Sequence, residues 1–261
     1  MSRPPAKVTA LATTPVKGMR VVARDEVELT LRGAPDNRRF YLIDERNRMV
    51  NGKHVGALTA AIAEYDHATR QLTIRFRGGD EASATVDLGD AVETAFFSDS
   101  VDARLVAGPF SEAISTHVGE PLRLVEGDAD RGGVDRGRAG GVSLVSRASL
   151  AALARVAGES EIDARRFRML VEVDGLPPHG EDAWVERQIR IGEALVRMQG
   201  HVGRCAITTL NPETGAVDLP TLDLLASYRR EAATTEPLAF GIYGAVLEPG
   251  RVRVGDPVAP V

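Results

Sequence analysis

Cys205 is the only cysteine in a chain of 261 residues. It lies in the stretch Gly203–Gly215, GRCAITTLNPETG, with Arg204 directly before it and His201 four residues before. Thr208 and Thr209 follow within one strand's length, and Asn211-Pro212-Glu213-Thr214-Gly215 reads as a turn. A lone cysteine has two open readings. It packs as a small buried apolar side chain, or its sulfur works as a reactive or metal-ligating thiolate, with Arg204 and His201 supplying positive charge nearby. On a strand, adjacent side chains face opposite ways, so Arg204 helps only if the backbone turns at that point.

Arg165, Arg166 and Arg168 form a second candidate group. They precede an apolar run to Val173 that reads as a strand, which puts Arg166 and Arg168 on one face with Phe167 between them. Two guanidiniums on one face suit a phosphate or carboxylate, and a solvated charge run is the alternative. Glu181 and Asp182, beside the single Trp184, read as a helix start or turn anchor. Neighbouring carboxylates do not naturally face one substrate, so acid–base catalysis by this pair is the weaker reading. His54, His67, His117, His179 and His201 show no metal-ligand spacing, which argues against a Cys/His zinc site. No G-x-S-x-G nucleophile elbow occurs. Glu126–Gly141, EGDADRGGVDRGRAGG, is glycine-rich but lacks both G-K-[ST] and G-x-G-x-x-G, so it reads as a connector rather than a phosphate loop.

The elements that must position these residues are short strands. Lys7–Ala12, Val27–Leu31, Arg39–Ile43 and Val101–Ala107 alternate apolar and polar residues, and Leu72–Phe76 with Ala84–Leu88 forms a hairpin about Gly78-Gly79-Asp80. Helices are expected around Ala57–Glu64, at Ser111–Val118 with Ser111 as N-cap and Gly119 as stop, after an N-cap at Ser146 with Gly158 as stop, and over Pro220–Ala232. Strands are expected at Val142–Val145, Gln188–Ile191, Ala194–Gln199 and on either side of Pro249-Gly250. The fold class is therefore mainly β with a few helices (α+β).

Apolar residues make up 43% of the chain and charged residues 26%, an ordinary balance for a soluble globular protein. A net charge of −5 and 5% aromatics argue against a nucleic-acid partner. No apolar run long enough for a membrane span occurs, and one cysteine forms no internal disulfide. The expectation is a cytoplasmic protein with no membrane partner.

An ordered set of motifs carries a family resemblance. It comprises Ser143-Leu144-Val145-Ser146 with Ser149-Leu150, Arg166-Phe167-Arg168, Glu181-Asp182-Ala183-Trp184, Ile191-Gly192, and Arg204-Cys205 with Thr208-Thr209. It continues through Pro212-Glu213-Thr214-Gly215, Leu222 to Tyr228-Arg229, Phe240-Gly241-Ile242-Tyr243, and Pro249-Gly250 with Val254-Gly255-Asp256. In this order and spacing the chain resembles a MOSC-domain protein. Thr14-Pro15-Val16-Lys17-Gly18, Arg39-Phe40-Tyr41-Leu42 and Met49-Val50 resemble the N-terminal β-barrel domain that accompanies it. The architecture looks like that of the amidoxime-reducing components. The division implied is an N-terminal β-barrel-like domain over 1–125, the connector 126–141 and a C-terminal MOSC β-barrel domain over 142–261.

The resemblance implies a cofactor, molybdenum on molybdopterin, with Cys205 as the metal ligand and catalytic residue. It implies Lys17, Lys53, Arg166, Arg168, Arg204 and Thr208 as cofactor-binding residues. The activity implied is reduction of N-hydroxylated or related N–O small-molecule substrates, with electrons from a separate donor protein. A sulfur carrier with a Cys205 persulfide, or a MOSC fold binding another small molecule, are the alternatives. The family's usual Arg-Pro-Asn reads Arg168-Met169-Leu170 here, the serine common after the Pro-Val-Lys lysine is Gly18, and the serine often found two residues before the cysteine is Gly203.

Overall fold

The computed structural model describes residues 5–96, 99–127 and 137–261. Its strands, in chain order, begin with β1 (Ala6–Thr13), β2 (Val22–Arg24), β3 (Glu26–Leu29), β4 (Phe40–Ile43), β5 (Met49–Val50), β6 (Ile62–Asp66), β7 (Gln71–Arg75), β8 (Glu81–Thr85), β9 (Asp87–Phe96), β10 (Asp99–Ala107) and β11 (Arg123–Gly127). After them come β12 (Val142–Ser146), β13 (Val171–Asp174), β14 (Gln188–Ile191), β15 (Ala194–Gly203), β16 (Ala239–Glu248), β17 (Gly250–Arg253) and β18 (Pro257–Pro260). Three α-helices join them: α1 (Phe110–Val118), α2 (Arg147–Ala157) and α3 (Thr221–Arg229).

Seven strands close a barrel in the order β13-β12-β16-β15-β14-β18-β1, and β1 pairs back onto β13. Closure removes the exposed strand edges that an open sheet would leave. The barrel therefore takes its closing strand from the first 13 residues, although its other six strands lie beyond residue 141. A second tie from the front of the chain is the antiparallel pair β3–β17. Among the named strands of the described residues only β12 and β13 pair in parallel, and α2 is the crossover that parallel pairing demands. Val8, Leu11, Leu144, Val171, Ile189, Val196 and Ile242 fill the barrel, and a register shift in β1 between Val8 and Ala10 lets Val8 and Leu11, three residues apart, share the core.

The front half builds a five-stranded sheet, β5-β4-β11-β10-β9, and the meander β6-β7-β8. In β4, Phe-Tyr-Leu-Ile is buried on both faces. Phe40 and Leu42 enter one core with Leu72, Ile74 and Phe110. Tyr41 and Ile43 enter another with Met49, Phe96 and Val125. This strand carries the site residues just before it, and double-sided burial holds it rigidly. Among the described residues no helix is long and apolar enough to cross a membrane.

Several local expectations differ from the structure. Ala57–Glu64 is not one helix: a 3-10 turn spans Gly56–Ala60 and the chain then enters β6. Its alanines favour helix, but pairing with β7 decides the outcome. Helix α1 has Pro109 rather than Ser111 at its N-cap, and Ser111 Oγ instead accepts a 3.1 Å hydrogen bond from the Leu124 amide. Ser146 does cap α2, accepting from the Ser149 amide, and Gly158 closes it in the left-handed conformation. The connector expected at 126–141 starts later, because β11 runs on to Gly127 and Glu126 within it is buried and pairs with Arg39. Residues 128–136 of that connector lie outside the described residues.

Candidate functional site

Strand β15 ends at Gly203, and the backbone turns at the very residues that carry chemistry. Cys205 is the N-cap of a 3-10 turn over Ala206–Thr209. Its carbonyl accepts from the Thr208 amide at 3.1 Å and from Thr208 Oγ1 at 3.0 Å. Thr208 is itself buried, and its carbonyl accepts from Thr221 Oγ1 at 2.8 Å at the start of α3. Cys205 is exposed. That rules out the reading of its sulfur as a buried apolar filler.

The thiol opens onto a cleft of about 400 Å³. Lys17, Arg38, Lys53, Arg168 and Arg204 line it, together with the amides Asn37 and Asn51 and the apolar Phe167, Met169, Leu170 and Ile207. No carboxylate is among the described lining residues. In a chain of net charge −5, such a concentration of cations has the chemistry to suit an anion.

Three separate parts of the fold supply these cations. Lys17 follows β1, with its amide donating to the Phe40 carbonyl at 2.8 Å and its ammonium 5.5 Å from the centroid of the Phe96 ring. Burial pushes the Lys17 pKa well below the ordinary lysine value, with Arg38 and Arg168 adding to the fall and Cys205 opposing it. Arg38 has a left-handed backbone, φ 59°, and its Nη2 donates to the Arg168 carbonyl at 2.9 Å. Lys53 stands exposed at the rim, its amide donating to Asn51 Oδ1 at 3.0 Å.

Arg168 is not on a strand. Residues Ala164–Phe167 form a 3-10 turn, and Arg168 caps it in the left-handed region at φ 56°. The expectation that Arg166 and Arg168 share one strand face is corrected here. Arg168 turns into the cleft, while Arg166 turns away from it. The buried Nη2 of Arg168 has no hydrogen-bond partner among the described residues, and burial lowers its pKa to about 10, which Cys205 opposes. An unsatisfied buried guanidinium nitrogen is costly unless a ligand satisfies it.

Arg166 instead donates through Nη1 to the Leu210 carbonyl at 2.8 Å and through Nη2 to Asp218 at 2.7 Å. It ties down the loop that follows Cys205 and does not line the cleft. Arg204 lines the cleft, but its guanidinium is committed to backbone: Nε donates to the Phe240 carbonyl at 2.8 Å and Nη1 to the Phe167 carbonyl at 2.9 Å. Nη2 reaches Met169 Sδ at 2.9 Å, and the group sits 5.3 Å from the Phe167 ring centroid. The structure thus gathers Lys17, Lys53, Arg168, Arg204, Thr208 and Cys205 around one cleft and leaves Arg166 behind its wall.

Sequence reading missed Arg38, Asn37 and Asn51. Each lies at a turn, and the Arg-Arg pair before the apolar Phe-Tyr-Leu-Ile run was the available signal. The missing serines also find an explanation. Gly18 has φ +94°, where a Cβ would lie 3.2 Å from the Gly52 nitrogen. At Gly203 a Cβ would lie 2.6 Å from Glu236 Oε2, and that carboxylate accepts from the Gly203 amide at 3.0 Å. Leu170 has joined the barrel core.

Comparison with known proteins agrees with this architecture. The MOSC domain family matches residues 131–259, and the MOSC N-terminal beta barrel domain family matches residues 5–121. Mitochondrial amidoxime reducing component 2 of Homo sapiens is 39% identical over 107 residues, 38% of this chain and 31% of that protein. Mitochondrial amidoxime-reducing component 1 of Xenopus laevis is 26% identical over 289 residues, covering 96% of this chain and 81% of that protein. The match thus spans less than a third of the human relative's length and about four fifths of the frog relative's. The crystal structure of the YUAD protein from Bacillus subtilis aligns with TM-score 0.46 at 14% identity, covering 98% of this chain and 96% of that one.

Proposed function

The chain belongs to the MOSC-domain proteins, with the N-terminal MOSC beta barrel in front, and we propose that its Cys205 cleft binds the molybdenum cofactor and reduces N-hydroxylated or related N–O small molecules. One observation carries this reading: an exposed cysteine faces a cleft lined by cations, with no carboxylate among the described lining residues. A thiolate is a soft ligand suited to a transition metal. The cations suit the phosphate of a pterin, and the cleft volume falls in the range of about 300–1,000 Å³ usual for small-molecule sites. The unpartnered Arg168 Nη2 supplies a donor that an anionic oxygen would satisfy.

In this reading Cys205 holds the metal, and Lys17, Arg38, Lys53 and Arg168 hold the phosphate. When bound, the cofactor supplies the redox centre that removes oxygen from an N–O bond. The protein's part is positioning. Thr208 fixes the Cys205 carbonyl, and Arg204 fixes the turn that presents Arg168. A bound phosphate would favour the charged forms of Lys17 and Arg168, against the burial that lowers both pKa values. Phe167, Met169 and Leu170 form an apolar wall that limits water. Electrons come from a separate donor protein, since a single cysteine builds no cysteine-ligated iron–sulfur cluster in the chain.

The test is molybdenum and pterin analysis of protein purified from a host that makes the cofactor. One equivalent of each is expected, with both lost in Cys205→Ser while far-UV circular dichroism is unchanged. Absence of molybdenum from the native protein would refute the reading. The exposure of Cys205 also favours a second reading, a sulfur carrier, and a sulfane adduct on metal-free native protein would select it.

A further inference from the structure

We infer that Cys205 is also a site of mixed-disulfide formation with anionic low-molecular-weight disulfides, of which oxidised glutathione is the type. The thiol is exposed, so an external disulfide can reach it. Lys17, Arg38, Lys53 and Arg168 line the same cleft, and no carboxylate lines it among the described residues. Independently of the sulfur, the buried Arg168 Nη2 lacks a partner among the described residues. It calls for an acceptor such as a ligand carboxylate. A cleft of about 400 Å³ accommodates a tripeptide-sized group.

The step balances within the two reactants. The Cys205 sulfur, as thiolate, attacks one sulfur of the disulfide. A new S–S bond forms, the old one breaks, and the departing half leaves as a thiolate that takes a proton from water. Cys205 is oxidised and the departing sulfur is reduced. No second cysteine exists in the chain to resolve the adduct. It therefore persists until an external thiol reverses it. The adduct stands whether or not the cofactor reading is right. Its consequence, that oxidation closes the site to a metal ligated by Cys205, rests on that reading.

The experiment uses the full metal-free chain and three disulfides: oxidised glutathione (anionic), hydroxyethyl disulfide (neutral) and cystamine (cationic). Adduct formation is followed by intact mass. Each rate is divided by that of the same chain unfolded in urea, which cancels the intrinsic reactivity of the reagent. The folded chain should favour glutathione over cystamine by about tenfold or more at low ionic strength, and added salt should collapse the preference. Lys53→Glu, on the exposed rim, should slow the glutathione reaction several-fold more than it slows the reaction with the neutral reagent. Equal normalised rates, a cationic preference, or a ranking indifferent to salt and to Lys53→Glu would each overturn the inference. A glutathione adduct on protein that takes up no molybdenum from a competent host would uphold the inference while removing the cofactor reading.

Discussion

Arg204 and Arg166 clamp the same two segments from opposite sides. Arg204, beside Cys205, donates back to the Phe167 carbonyl at 2.9 Å. Arg166, beside Phe167, donates forward to the Leu210 carbonyl at 2.8 Å, beyond Cys205. Each segment thus holds the other by an arginine close to the residue it presents, Arg204 next to Cys205 and Arg166 two residues before Arg168. Glu213 strengthens the junction, pairing with Arg165 at 2.6 Å and also with Arg20.

Removing one half of this clamp should be costly. Arg204→Ala leaves the Phe167 and Phe240 carbonyls without their donor, and each unsatisfied buried acceptor costs about 1–3 kcal/mol. We expect a loss of about 2–4 kcal/mol in urea unfolding, with an unchanged m-value. Arg204→Lys should recover less than half of it, because an ammonium cannot span both carbonyls as the guanidinium fork does. Full recovery by lysine would show that charge alone matters.

Gly203 and Glu236 should behave as one unit. A serine at 203 collides with the Glu236 carboxylate, since the added Cβ would approach it to 2.6 Å. Gly203→Ser alone should destabilise the chain. Combined with Glu236→Ala, which vacates the space, it should cost less than the sum of the two single changes. Contacting pairs couple by about 0.5–3 kcal/mol. A double-mutant cycle by urea unfolding checks this, and strict additivity would remove the steric account.

Gly18 answers a different question. Its φ of +94° is a backbone state that side chains adopt only with strain. Gly18→Ser should lower stability by about 1–2 kcal/mol rather than improve anion binding by supplying a hydroxyl. Thermal unfolding and phosphate binding, measured side by side, separate the two outcomes.

The alternating strands, the Ser146 cap and the stops at Gly119 and Gly158 were legible because they depend on neighbours in sequence. So was the grouping of Cys205 with Lys17 and Arg168, through ordered motifs. Three features were not. Residues 57–64 read as one helix because the alanines speak locally, whereas the β7 partner that makes 62–64 part of a strand lies beyond a turn. Arg166 and Arg168 read as one face because a strand was assumed. The 3-10 turn and the left-handed cap at Arg168 send them apart. Glu236 occupies the space beside Gly203 from 33 residues away, and only the folded pairing of β15 with β16 brings it there.

His179 gives a prediction for the acid side. Burial, and then the nearby Arg229, hold its pKa at about 4 against an ordinary 6.5. Between those values the unfolded chain binds a proton that the folded chain refuses, so stability falls as pH drops from 6.5 to about 4. His179→Gln should flatten that part of the stability curve. An unaltered slope would place the acid sensitivity elsewhere.

Lys17 carries the same logic to the alkaline side. Its folded pKa lies well below the ordinary 10.5, mainly through burial and then through Arg38 and Arg168. Within that interval the unfolded chain carries one more proton than the folded chain. The stability of the anion-free protein therefore rises with pH through the window and levels off near 10.5. A bound phosphate-bearing ligand reverses the preference by pairing with the ammonium, so binding in this window should draw a proton from buffer. Calorimetry in two buffers of different ionisation enthalpy reads that uptake directly. Lys17→Met should abolish it, raise the stability of the anion-free protein at neutral pH, and weaken phosphate binding. Proton release on binding, or uptake that survives Lys17→Met, would mean that Lys17 is not the group that meets the anion.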